Sequence, residues 1–137
     1  MGTKTRSRPQ SLGAIIGGYI DPTRTEYRGI LMRSRLEADF ARHLDDLRIP
    51  WRYEPTIFGP VGEGYKPDFQ LMRRGEHHYV EVKPRLADVG EAERRMEIIW
   101  ETYPDAVLIV ASGEGCQWFA REKGKPAVAW TDRWAHG

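Results

Sequence analysis

Two acids and a lysine fall close together in the chain as Asp68, Glu81 and Lys83. They belong to a stretch from Tyr65 to Pro84 that reads as two short strands around the polar turn Arg73-Arg74-Gly75-Glu76. Side chains alternate faces along a strand, so Lys66, Asp68 and Gln70 share one face of the first strand. Tyr79, Glu81 and Lys83 share one face of the second. If the strands pair, the two acids and the lysine meet on one polar patch, while Phe69, Leu71, Val80 and Val82 turn to a core. Such charges at the centre of a sheet are costly unless they are paired or used. Their chemistry would be metal-assisted hydrolysis. Carboxylates are hard oxygen donors that suit Mg²⁺, which keeps several of its waters. A divalent cation neutralises an anionic phosphodiester, orients it and acidifies a bound water. Lys83 is long enough to reach that water or a phosphate oxygen. Beside carboxylates it is expected to work as an ammonium that orients water and stabilises developing charge.

The elements that must position these residues are legible on either side. Leu36, Phe40, Leu44 and Leu47 recur at helical spacing. Ser34 is a good N-cap for that helix, and Glu37 follows three residues later in a capping-box pattern. Glu37 also lies at the edge of the apolar stripe, leaning toward whatever the helix packs on; Asp39 is the fallback for its role. Ile49-Pro50 ends the helix. Trp51 to Glu54 alternates as a strand, with Thr56-Ile57-Phe58 expected to extend it beyond a bulge. The loop Gly59 to Gly64 lacks the ending of a phosphate-cradling loop. A second helix is expected from about Asp88 to Tyr103, burying Ala92, Met96, Ile99, Trp100 and Tyr103, with Arg94 and Arg95 outside that stripe. The apolar run Ala106 to Ala111 suits a central strand covered on both faces and parallel to a neighbour. Gln117 to Arg121 and Ala127 to Trp130 are expected as a short element and an edge strand. Trp118 and Trp134 are the tryptophans expected to be exposed.

With 137 residues, 40% hydrophobic and 30% charged, the chain fits one globular domain. A net charge of +1 announces no partner by itself. Its distribution says more. Residues 1–29 read as a basic arm, and between Met1 and Arg35 the cations Lys4, Arg6, Arg8, Arg24, Arg28, Arg33 and Arg35 face only Asp21 and Glu26. Such an end suits a phosphate backbone; a solvated terminus is the plain alternative. The apolar piece Gly13 to Ile20 is expected to pack on the domain or on a second copy of the chain, as in a homodimer. Cys116 is the sole cysteine, which leaves no internal disulfide and fits a reducing cytoplasm. No apolar run is long enough to span a membrane, and no small-residue cleavage site follows the early apolar run.

Pro67-Asp68 followed by Glu81-Val82-Lys83 resembles the PD-(D/E)xK signature of the restriction-endonuclease-like nuclease superfamily. Glu37 matches the acid that many members place on the preceding helix. The resemblance covers about Arg33 to Ala111, and its Ser34-to-Glu37 opening is similar to TnsA-type transposase endonuclease subunits and phage resolvases of the endonuclease I type. It implies an α/β fold with a restriction-endonuclease-like core, a mixed central sheet flanked by helices in the order αβββαβ, over residues 30–137. It also implies a Mg²⁺-dependent DNA endonuclease, with Mn²⁺ able to substitute. Glu37, Asp68, Glu81 and Lys83 would be its catalytic residues. Asp68, Glu81 and the Val82 carbonyl would hold the metal. Lys4, Arg6, Arg8, Arg33, Arg35 and Arg85 are the DNA-contacting candidates, and recombination or transposition proteins the further partners. The alternatives are a nuclease-fold subunit that binds DNA or protein without cutting, and an interaction module whose hairpin is merely structural. On the bland reading, Asp68 pairs with Arg35, Glu81 and Lys83 form an exposed stripe, and Gln70 and Tyr79 lie on the polar faces. His77-His78 reads as a strand edge, since no zinc spacing accompanies it.

Overall fold

The computed structural model describes residues 23–73, 76–114 and 117–129. A hairpin of β1 (Thr25–Tyr27) and β2 (Ile30–Met32) leads into α1 (Arg35–Asp46). Strands β3 (Trp51–Tyr53), β4 (Phe69–Arg73) and β5 (Glu76–Lys83) follow. A 3₁₀ turn at Leu86–Asp88 leads into α2 (Val89–Met96), which tightens into a second 3₁₀ segment, Glu97–Glu101. The last strands are β6 (Val107–Ser112), β7 (Gln117–Arg121) and β8 (Val128–Ala129). Strands β3 to β8 form one six-stranded mixed sheet in sequence order. The β5–β6 pair is parallel and the other pairs are antiparallel. The crossover through α2 makes that parallel pair possible, as the apolar run Ala106–Ala111 led us to expect.

One helix covers each face of the sheet. Phe40, Ala41 and Leu44 of α1 pack on Phe69, Leu71, Val80, Val82, Ile109 and Ala111. Ala92 and Met96 of α2 pack on Tyr79, Leu108 and Val110 with Ile99 and Trp100. Successive residues of β6 therefore feed opposite cores, which is why that strand is apolar without alternation. The same geometry corrects one expectation. Tyr79 is 2% exposed and sits in the α2-side core, not on a polar face.

Ser34 caps α1, its Oγ accepting from the Glu37 N–H at 3.1 Å. Replacing Ser34 with Ala is expected to lower stability by about 1 kcal/mol. That would be read as a lower urea midpoint with an unchanged slope.

Three local expectations need correction. Thr56-Ile57-Phe58 does not extend β3; a single bridge between Phe58 and Tyr65 closes that loop. Trp118 is 8% exposed, packed on Phe40 and His43 at ring distances of 5.2 and 5.9 Å. The arm boundary drawn at Gly29 falls inside the β1–β2 hairpin, whose turn residues Arg28 and Gly29 both have positive φ, as tight hairpins favour. That hairpin is moored to α1 by Asp45, which accepts from Tyr27 Oη and Arg28 and also from Trp51 Nε1 of β3. Lys4, Arg6, Arg8, the piece Gly13 to Ile20, Cys116 and Trp134 lie outside the described residues. No helix among the described residues is long and apolar enough to cross a membrane.

Candidate functional site

Asp68 immediately precedes β4, and Glu81 and Lys83 end β5. The register pairs Phe69 with Val80, so the next step along the ladder brings Asp68 beside Glu81. Asp68 is 1% exposed and Glu81 7%. Glu81 is therefore no exposed stripe residue. The first turn of α1 brings Glu37 to the same place.

Each acid is held by defined partners. Asp68 Oδ2 accepts from the Val82 N–H at 2.8 Å, and its Oδ1 accepts from Arg33 Nη2 at 2.8 Å. Glu37 Oε1 accepts from Tyr53 Oη at 2.6 Å and from the Arg33 N–H at 3.0 Å. Its buried side chain thus turns to Arg33 and Tyr53 rather than back to the Ser34 N–H of a full capping box. Glu81 Oε1 accepts from Tyr65 Oη, and Lys83 Nζ lies 3.7 Å from Glu81 Oε2. Arg95 of α2 sits 5.3 Å over the Tyr65 ring. Tyr65 is itself held by backbone bonds to Phe58, across a loop in which Gly64 has no room for a Cβ.

The electrostatics follow from this crowding. Burial pushes the Asp68 carboxyl well above the usual range, and the charges of Glu81 and Glu37 push it further. Burial also raises Glu81, against the Tyr65 hydrogen bond and the charges of Lys83, Arg95 and Arg33. Burial raises the Tyr65 phenol, as does Glu81, so Tyr65 stays a neutral donor. Burial alone would lower the Arg33 guanidinium, but Tyr53, Asp68, Glu37 and Glu54 more than reverse that.

Arg33 joins three acids. Beyond Asp68, its Nη2 lies 3.6 Å from Glu37 Oε2 and its Nε 2.9 Å from Glu54 Oε2. The Glu54 contact is an ion pair without the alignment of a hydrogen bond. Glu54 Oε1 lies 3.3 Å from Lys66 Nζ, and its N–H donates to the Asp68 carbonyl at 2.8 Å. Its φ of 45° is unusual for a residue with a Cβ.

Glu37, Asp68, Glu81 and Lys83 are thus brought together. Val82 engages the group through its N–H. Arg33 turns inward, and it is Arg33, not Arg35, that pairs with Asp68. Arg35 and Arg85 are exposed, Arg85 Nε lying 3.2 Å from Asp88 Oδ2. Asp39 faces solvent and lies 3.5 Å from Arg42, away from the group. Arg33's carboxylate contacts, Tyr53, Glu54 and Tyr65 went unread as site residues. The one available signal was that Tyr53-Glu54 closes a strand beside the one bearing Asp68. Among the described residues, no three His, Cys, Asp or Glu side chains form a ready-made metal cage. A comparison with protein-family models and one with curated proteins found no match.

Proposed function

We propose that this chain is a Mg²⁺-dependent DNA endonuclease with a restriction-endonuclease-like core. The order α1, β3, β4, β5, α2, β6 supports the αβββαβ reading. The observation that carries the function is the buried convergence of Asp68, Glu81 and Glu37 with Lys83 at the end of β5. A buried acid whose proton affinity is raised by burial and by two neighbouring acids is a place where a cation is stabilising. Asp68 and Glu81 supply the one or two carboxylates that Mg²⁺ needs, so the donor set fits without a larger cage. Bound there, the ion would neutralise the phosphate and acidify a water. The chain's own residues do the rest. Tyr65 fixes the Glu81 carboxylate from one side, leaving Oε2 on the side of Lys83. The Val82 N–H fixes Asp68 through Oδ2 and leaves Oδ1 to the contact with Arg33. Lys83 orients the attacking water and meets the charge that builds on the phosphate oxygens.

The test is cleavage of linear, nicked, flapped and four-way DNA with Mg²⁺ and with EDTA. Mg²⁺-dependent strand scission that fails in EDTA is expected, and no scission of any substrate would overturn the reading. One observation favours a second reading, a nuclease-fold subunit that binds DNA without cutting. Arg33 sits on the Asp68 oxygen that a metal would use.

Duplex contact falls to the exposed Arg35 and Arg85 and to Lys4, Arg6 and Arg8. Deleting residues 1–8 is expected to weaken binding to all sequences alike. The salt slope of log affinity should flatten by about 0.9 for each phosphate that the shortened chain leaves unneutralised. An unchanged slope would remove the arm from the interface. Deleting through Ile20 is expected to shift sedimentation toward monomer if that piece holds a second copy.

A further inference from the structure

We infer that Arg33 and a divalent cation are alternative occupants of the Asp68 oxygen Oδ1, with Glu54 retaining the arginine once the metal has replaced it. This rests on the metal-dependent reading of the same site. Asp68 has two acceptor oxygens. Oδ2 is committed to the Val82 N–H, and Oδ1 carries Arg33 Nη2 at 2.8 Å. A metal on Asp68 must therefore compete for the oxygen that Arg33 holds. Without either cation, the buried acids would be left with uncompensated charge, which is strongly destabilising. Arg33 is a placeholder that keeps the acids in position until the metal arrives.

Its surroundings suit an exchange. The Arg33 backbone is fixed, since its N–H contacts Glu37 Oε1 at 3.0 Å and Tyr53 Oη at 2.9 Å. The side chain is 51% exposed, whereas that of Asp68 is 2% exposed. Release of Asp68 thus needs a rotation at the surface and no unpacking of the core. Glu54 lies outside the Asp68–Glu37 pair and is also held by Lys66. It keeps Nε tethered while Nη2 swings free. A guanidinium so released is a planar donor beside the metal, suited to a phosphate oxygen. Arg33 thereby becomes a positioning residue for the acids in one state and for the substrate in the other.

The experiment is Mn²⁺ titration of the full chain without DNA, by calorimetry and by melting temperature against EDTA. Arg33→Gln is expected to bind Mn²⁺ at least about tenfold tighter than wild type, because a charge-assisted bond no longer competes. Lys66→Gln removes the same charge but touches Glu54 rather than Asp68, and its affinity is expected to stay within about twofold of wild type. In EDTA, Arg33→Gln is expected to melt below wild type and to gain more from Mn²⁺. Should it not fold in EDTA, Arg33→Lys serves, since an ammonium cannot bridge Asp68 and Glu54 together; it is expected to bind Mn²⁺ tighter than wild type. Equal or weaker Mn²⁺ binding by the folded Arg33 variant, or equal tightening by Lys66→Gln, overturns the inference. Mn²⁺ binding that is lost in Asp68→Asn but indifferent to Arg33 overturns this inference alone. No Mn²⁺ binding by wild type or by Arg33→Gln overturns the metal reading with it.

Discussion

On the proposed nuclease reading, Asp68→Asn, Glu81→Gln and Lys83→Ala are each expected to slow Mg²⁺-dependent DNA cleavage by on the order of a thousandfold. The three lose different things. Asp68→Asn keeps an acceptor for the Val82 N–H, so the local backbone should hold, but it removes the anionic oxygen now facing Arg33. Glu81→Gln keeps the shape and a partner for Tyr65 while removing the charge that the proposed metal would meet. Lys83→Ala leaves the acids intact and takes away the cation 3.7 Å from Glu81, the group that the proposed mechanism sets against the transition-state charge. Glu37→Gln should cost less. Glu37 is held by Tyr53 and the Arg33 N–H and acts on the others through position and field. Single-turnover rates at saturating DNA separate chemistry from binding. Urea unfolding of each variant checks that the fold survives. Wild-type turnover by folded Lys83→Ala would sink the assigned role, and wild-type turnover by all three would remove the site from catalysis.

Much of the scaffold was legible because it rests on local pattern. Ser34 and the spacing of Leu36, Phe40 and Leu44 define α1 without reference to the rest of the chain. The β4–β5 hairpin and the buried β6 were legible for the same reason. The losses came where distant segments decide. Tyr79 alternates with Val80 as a polar-face residue would, yet α2 crosses over that face and buries it. Trp118 is covered by α1, far away in sequence. The hairpin β1–β2 has three residues per strand and lives on its contacts with α1, so no periodicity announces it. In the site, the acids and the lysine were legible from alternation and from the resemblance. Their partners were not, because Tyr53, Glu54 and Tyr65 join the acids through loops and a neighbouring strand. Arg33 was legible as a charge near a helix start and as a DNA-contacting candidate, not as a partner of the acids. That it would turn inward depends on Asp68 arriving from 35 residues away.

The stability of the metal-free protein will fall as pH rises from about 4 toward neutral, and Asp68→Asn will remove most of that fall. Burial, with the charges of Glu81 and Glu37, raises Asp68 above its ordinary value, and burial raises Glu81 as well. Unfolded carboxyls titrate near pH 4. An acid with a raised folded value holds its proton in the folded state after the unfolded chain has lost it. The folded state then binds more protons across that window, so stability falls as pH rises through it and stays low above it. Each unit of such a shift is worth about 1.4 kcal/mol, and here two neighbouring acids contribute. Asp45 acts in the opposite sense and in a different window. Burial presses it upward, but hydrogen bonds from Tyr27, Trp51 and Arg28 outweigh that and hold it below its usual value. Its contribution is present above about pH 4 and is lost as pH falls further, so the two effects separate along the pH axis. The measurement is urea unfolding in EDTA between about pH 4 and pH 8, repeated with Mn²⁺. Mn²⁺ should flatten the wild-type decline, because a bound cation favours the charged acids. Parallel pH curves for wild type and Asp68→Asn would show that the buried acids do not oppose folding. The electrostatic case for a cation at this site would then fail with them.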